Sequence, residues 1–87
     1  MGLLEFSEVK SKLERYCAYQ ERSVYEAEKK IRTFTNQESK IELLVSELTK
    51  DGFLNQSRFV ESFVQGKLNL KRWGKHKIRM ALIQHKI

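Results

Sequence analysis

Residues 53–78, FLNQSRFVESFVQGKLNLKRWGKHKI, decide how this chain is read. Asn55 precedes Phe59, Val60, Phe63 and Val64, an i, i+1, i+4, i+5 set that forms the apolar face of one helix. An Asn side chain ahead of such a face accepts one of the backbone N–H groups that the first helical turn leaves orphaned. Gly66 weakens the end of that helix, by up to about 1 kcal/mol relative to Ala if it lies inside. A basic connection, Leu70-Lys71-Arg72, leads to Trp73-Gly74 and then to a further helix carrying Ile78, Ala81, Leu82 and His85.

Upstream, the same period recurs. Ser7 is placed to cap a first helix reaching about Gln20, with Val9, Leu13, Tyr16 and Cys17 on one stripe. Ser23 with Glu26 reads as a capping box opening a second helix, Val24 to Phe34, that buries Ala27, Ile31 and Phe34. Thr35 with Glu38 reads as another, opening a third helix to Lys50 with Ile41, Leu44, Val45 and Leu48 inward. Gly52 stands where a helix end asks for a left-handed residue, and Phe53 can fold back on the last turn. Loops of two or three residues join these helices. The expected fold is all-α, with residues 1–52 as one three-helix unit and 53–87 as an incomplete second one.

Aligning Glu14 with Glu61 superimposes Tyr16 on Phe63, Cys17 on Val64, and Lys30-Ile31-Arg32 on Lys77-Ile78-Arg79. Helical arrays bury their faces by stacking such copies. The second copy stops two helices in, which leaves Ile78, Leu82 and Ile83 partly uncovered.

With no Pro and only four Gly, the composition favours helices over turns and strands. A chain of 87 residues buries only roughly 60% of its unfolded surface, so its core is modest. The single cysteine, Cys17, has no internal disulfide partner and sits on a core stripe, which points to a reducing, cytoplasmic setting. MGLLEF has no basic n-region, its sixth residue is not a hydroxyl, and no apolar run approaches a bilayer's thickness.

Charge is unevenly placed. Residues 1–65 hold ten Lys and Arg against eleven Asp and Glu, whereas residues 66–87 hold seven basic residues and no acid. Such a stretch is either a solvated face or a footprint for an anionic partner. Lys67, Lys71, Arg72, Lys75 and Lys77 surround one helix–turn–helix junction, and His76 and Arg79 extend it. This junction is expected as the one surface that the first copy lacks. Trp73 beside it is either a packing anchor or a platform for an unpaired base.

No catalytic constellation is present in the sequence. His76 and His85 are nine apart and make no i, i+4 metal pair, and the lone cysteine has no histidine beside it. Glycines at 2, 52, 66 and 74 form no phosphate loop. Neither enzyme activity, cofactor nor metal is expected.

An ordered set of landmarks resembles the RecX family, regulators of the RecA recombinase. They are Leu13-Glu14-Arg15-Tyr16-Cys17-Ala18, Gln20-Glu21-Arg22-Ser23, Leu48 through Leu54, Arg58-Phe59, Phe63-Val64, Gly66-Lys67, Trp73-Gly74, Lys77-Ile78 and Leu82. The Tyr-Cys and Trp-Gly wording is most similar to the Bacteroidetes branch. Asn55-Gln56 departs from an acidic pair usual in the family. The family's three repeats also make this chain look truncated within the second.

The resemblance implies a monomeric, elongated, non-enzymatic protein that binds the groove of the RecA–DNA filament. There it suppresses ATPase, strand exchange and the stimulated repressor cleavage of the SOS response, with DNA as a further contact and no membrane. The charge pattern alone leaves two other readings open: a basic helical DNA-binding module without RecA specificity, and a scaffold with a merely soluble basic face.

Overall fold

A computed structural model describes residues 5–87, and among these it contains five helices and no strand. In order they are α1 (Phe6–Tyr19), α2 (Val24–Ile31), α3 (Glu38–Lys50), α4 (Gln56–Asn69) and α5 (Lys75–Gln84). None is long and apolar enough to cross a membrane. Helices α1, α2 and α3 pack on one another, and α4 packs on α5. The Cα radius of gyration is 14.4 Å and the extents are 45 × 23 × 20 Å. A compact chain of this length has a radius of about 12 Å, so the molecule is elongated.

The apolar periodicity places the core. Val9, Leu13 and Cys17 of α1 meet Ala27 and Ile31 of α2 and Ile41, Leu44 and Leu48 of α3, with Leu54 closing the cluster. Leu13, Ile31 and Leu48 are wholly excluded from solvent, and truncating a side chain of that kind to Ala costs about 2–5 kcal/mol. Phe34 and Val45, expected inside, are only partly buried against this cluster. Phe59 of α4 and Ile78 of α5 are buried in the second group.

Helix ends follow local chemistry, in places other than expected. Glu5, not Ser7, is the N-cap of α1, its N–H donating to the Glu8 carboxylate at 3.3 Å. Ser23 and Glu26 form the expected box: Ser23 Oγ accepts from the Glu26 N–H at 3.1 Å, and the Glu26 carboxylate accepts from the Ser23 N–H at 3.0 Å. Helix α2 ends at Ile31, three residues early, because Thr33 Oγ1 donates to the Lys30 carbonyl and competes with the helical ladder. Thr35 does not cap α3. Its hydroxyl instead accepts from the Gln37 N–H, Gln37 is the N-cap, and Glu38 turns back to pair with Arg32. The connections 20–23 and 32–37 are accordingly longer than two or three residues.

Gly52 behaves as expected, with φ of 85°. Phe53 N–H donates to the Leu48 carbonyl at 2.9 Å and Gly52 N–H to that of Thr49 at 3.1 Å, the paired bonds of a Schellman turn. Asn55 Oδ1 then accepts from the Arg58 N–H at 2.8 Å and starts α4.

Candidate functional site

The basic junction is built by the way α4 ends. Gly66 lies inside the helix, and its carbonyl accepts from the N–H groups of Leu70 (2.9 Å) and Lys71 (3.3 Å). Arg72 follows in the left-handed region at φ 55°, a conformation that costs a residue with a Cβ about 1–2 kcal/mol. The resulting reversal lets the Trp73 N–H donate to the Lys67 carbonyl at 2.9 Å. Gly74 caps α5 without any side-chain acceptor.

Trp73 is therefore half-buried between two cations. Lys67 Nζ lies 4.6 Å and Lys77 Nζ 4.3 Å from its ring centroid, close enough for the ring's negative face to hold both. Lys67 also lies 5.1 Å from the Phe63 ring centroid. The indole thus anchors the junction by gathering charge from both helices. Lys71 and Arg72 are exposed in the turn, and Lys75, His76, Lys77 and Arg79 are exposed on α5.

The seven residues form two groups rather than one continuous face. Lys67 and Lys77 meet at Trp73. By helical geometry Lys75 and Arg79 share a flank of α5, and Arg79 lies about 160° around the axis from Lys77. Among the described residues, none of the seven is in an ion pair. The first turn of α5 carries Lys75, His76 and Lys77 with no acid. A helix N-terminus is the positive end of the dipole, so cations there are unfavourable by a fraction of a kcal/mol each.

His85 has a larger role than its position at the end of a helix suggests. It is the C-cap of α5, half-buried, and its ring centroid lies 5.0 Å from that of Phe59 and 5.6 Å from that of Phe63. Its Nδ1 shares a 2.9 Å hydrogen bond with Ser23 Oγ. Two further contacts reach the same connection between α1 and α2: Arg58 pairs with Glu21, and Gln56 Oε1 accepts from the Val24 N–H at 3.1 Å. Arg58 also donates to the Gly52 carbonyl at 2.9 Å. Beside these contacts runs a cleft of about 430 Å³, with Glu21, Glu26, Phe59, Phe63, Lys67 and Lys71 among its lining residues. Ile78 is buried, contrary to expectation, whereas Leu82 is half-covered and Ile83 is 52% exposed.

Cys17 is enclosed by the core, and burial pushes its thiol pKa up, which disfavours the nucleophilic thiolate. Among the described residues, no three His, Cys, Asp or Glu side chains come together as a metal-binding group. The arrangement offers fixed positive charge and surface, which is the chemistry of binding.

No curated protein and no solved structure matches the chain. Residues 55–87, which contain α4, the basic junction and α5, match the family model described as RecX, second three-helix domain. Residues 55–87 of this elongated all-helical chain are thus similar to the second three-helix domain of the RecX family.

Proposed function

We propose that this chain is a non-enzymatic, cytoplasmic regulator of RecA that docks in the groove of the RecA–DNA filament. In this reading residues 1–52 and 53–87 act as successive repeat units of one monomeric array. Lys67, Lys71, Arg72, Lys75, His76, Lys77 and Arg79 meet the acidic filament surface or its DNA, and docking restrains ATPase, strand exchange and coprotease activity.

The observation that carries the proposal is the position of the family match: residues 55–87 include the stretch 66–87, which holds seven Lys and Arg and no acid. The energetics support it. Arg72 holds an unfavourable backbone conformation, and Lys75 and Lys77 crowd the positive end of α5. Neither arrangement favours the isolated chain, and both become favourable against an anionic surface.

The test is the DNA-dependent ATPase of RecA with added protein. Wild type is expected to lower the rate, and Lys71→Glu/Arg72→Glu to restore most of it while leaving the helical content unchanged. An ATPase that does not respond to the wild-type chain refutes the proposal.

A second reading, a DNA-binding module without RecA specificity, is favoured by the cation-flanked Trp73. It requires an affinity for bare DNA that depends on the seven junction residues and falls steeply with salt.

A further inference from the structure

Counting charge along the chain makes the first three helices look nearly neutral, but the charge is not spread evenly over their surface. Glu47 and Asp51 both hold Lys10, at 2.9 and 3.1 Å, Glu38 pairs with Arg32, and Glu21 pairs with Arg58. Glu26 is turned into the Ser23 cap. These acids leave another face of the same helices uncompensated.

That face is an open groove of about 460 Å³ lined by Lys12, Arg15, Tyr16, Tyr19, Arg22, Lys30 and Phe34. Four of the seven lining residues are cations, three are aromatic, and none is acidic. Among the described residues, none of those four cations is ion-paired. Arg22 is fixed in place: its Nε donates to the Tyr16 carbonyl at 3.0 Å and its guanidinium carbon lies 3.8 Å from the Tyr16 ring centroid. Lys30 Nζ lies 5.5 Å from the Tyr16 and 5.9 Å from the Phe34 ring centroid. Tyr19, by contrast, is 82% exposed, and its ring centroid is 5.9 Å from the Arg22 guanidinium carbon.

An exposed ring beside a group of cations, of which Arg22 is held in place, suits a ligand that carries flat, unpaired rings on an anionic backbone. Interleaved aromatic and basic side chains bind single strands because every base has a stacking face and every nucleotide a phosphate. A duplex keeps its bases stacked on each other and offers such a ring nothing. An acidic peptide would use the cations but not Tyr19.

We propose that this α1–α2 groove binds an unpaired nucleic-acid strand, with a base stacked on Tyr19 and phosphates held by Lys12, Arg15, Arg22 and Lys30. The site is distinct from the basic junction between α4 and α5 and does not depend on the RecA reading.

The experiment is fluorescence anisotropy of the full 87-residue chain with a labelled oligo(dT) and with a duplex of the same length, RecA being absent. Tyr19→Ala is expected to weaken oligo(dT) binding by about 5- to 150-fold, the range that one base–aromatic stack spans, and to change duplex binding less than about twofold. Lys12→Glu/Arg15→Glu is expected to flatten the salt dependence of oligo(dT) binding. The Tyr19 effect should persist in a Lys71→Glu/Arg72→Glu background, which separates this groove from the junction. Because Tyr19 is exposed, its removal is expected to leave the circular-dichroism melt unchanged. Equal losses on strand and duplex, no loss with Tyr19→Ala, or displacement of oligo(dT) by poly-glutamate that ignores Tyr19→Ala would each overturn the proposal.

Discussion

Ser23 and His85 lie 62 residues apart in the chain, yet Ser23 Oγ and His85 Nδ1 are joined at 2.9 Å. The same Ser23 oxygen accepts from the Glu26 N–H and caps α2, so one buried hydroxyl serves a helix start and a contact between the two helical groups. An unsatisfied buried hydroxyl is costly, which makes this pair a sensitive probe of how the groups are held together.

His85→Ala removes the hydrogen bond and the packing on Phe59 and Phe63. It is expected to destabilise by about 1–3 kcal/mol, as loss of a net hydrogen bond and an aromatic contact would. Ser23→Ala also removes a cap, which alone contributes about 0.5–2 kcal/mol. In a double-mutant cycle by urea unfolding the two losses should fall short of additivity by about 0.5 kcal/mol or more. Strict additivity would show that the bond contributes nothing.

Gly52 and Gly66 should respond to substitution with opposite signs. Gly52 has φ of 85°, where an added Cβ is strained, so Gly52→Ala is expected to lose about 1–2 kcal/mol. Gly66 lies inside α4 with open space around any added Cβ. Gly66→Ala is expected to gain up to about 1 kcal/mol. Thermal melts of the pair test this directly, and a gain at Gly52 would contradict the Schellman assignment.

Arg72→Gly separates stability from binding. Glycine relieves the left-handed strain and is expected to stabilise the fold by up to about 1 kcal/mol. The same change removes a junction cation, so the effect on RecA ATPase should weaken while the melting temperature rises. A fall in both would mean that the Arg72 side chain supports the turn.

Stability should fall as pH rises through the alkaline range. Burial raises the pKa of the Cys17 thiol and of the Tyr16 phenol, and Glu47 followed by Asp51 raises that of Lys10. For all three the folded pKa lies above the unfolded one. Their contribution is complete below the ordinary values, which begin with the thiol at 9.0, and is lost as pH climbs through the raised ones. Urea midpoints measured from pH 7 to 11 are therefore expected to decline, with a smaller decline in Cys17→Ala. At pH 8, iodoacetamide should label Cys17 only as fast as the chain opens.

The five helices were readable because each carries its own period and most carry their own stop signals. Ser23-Glu26, Gly52 and Asn55 act on backbone within a few residues, so their chemistry is local and visible. The end of α2, expected at Phe34, and the cap of α3, expected at Thr35, differ for the converse reason. The Thr33 hydroxyl takes the Lys30 carbonyl and the Thr35 hydroxyl takes the Gln37 N–H, choices that only the folded geometry makes. The roles of His85, Arg58 and Gln56 depend on partners 62, 37 and 32 residues away and leave no periodic trace. Charge is similar. Seven cations after residue 65 are obvious in the sequence, whereas the cationic α1–α2 groove emerges only once folding gathers Lys12, Arg15, Arg22 and Lys30 on one lining without an acid.

The short connection between α1 and α2 has a consequence for how this chain can change length. Arg58 and His85 reach it at Glu21 and Ser23, and Gln56 reaches Val24 where α2 begins. Surface connections ordinarily accept insertions with little loss. Here one added residue would move three docking points out of register at once, whereas the stretch from Arg32 to Gln37 holds its own turn, the Arg32–Glu38 pair and the partly buried Phe34. Tags, spacers and evolutionary insertions therefore belong in the second connection, and the first should keep its length of four.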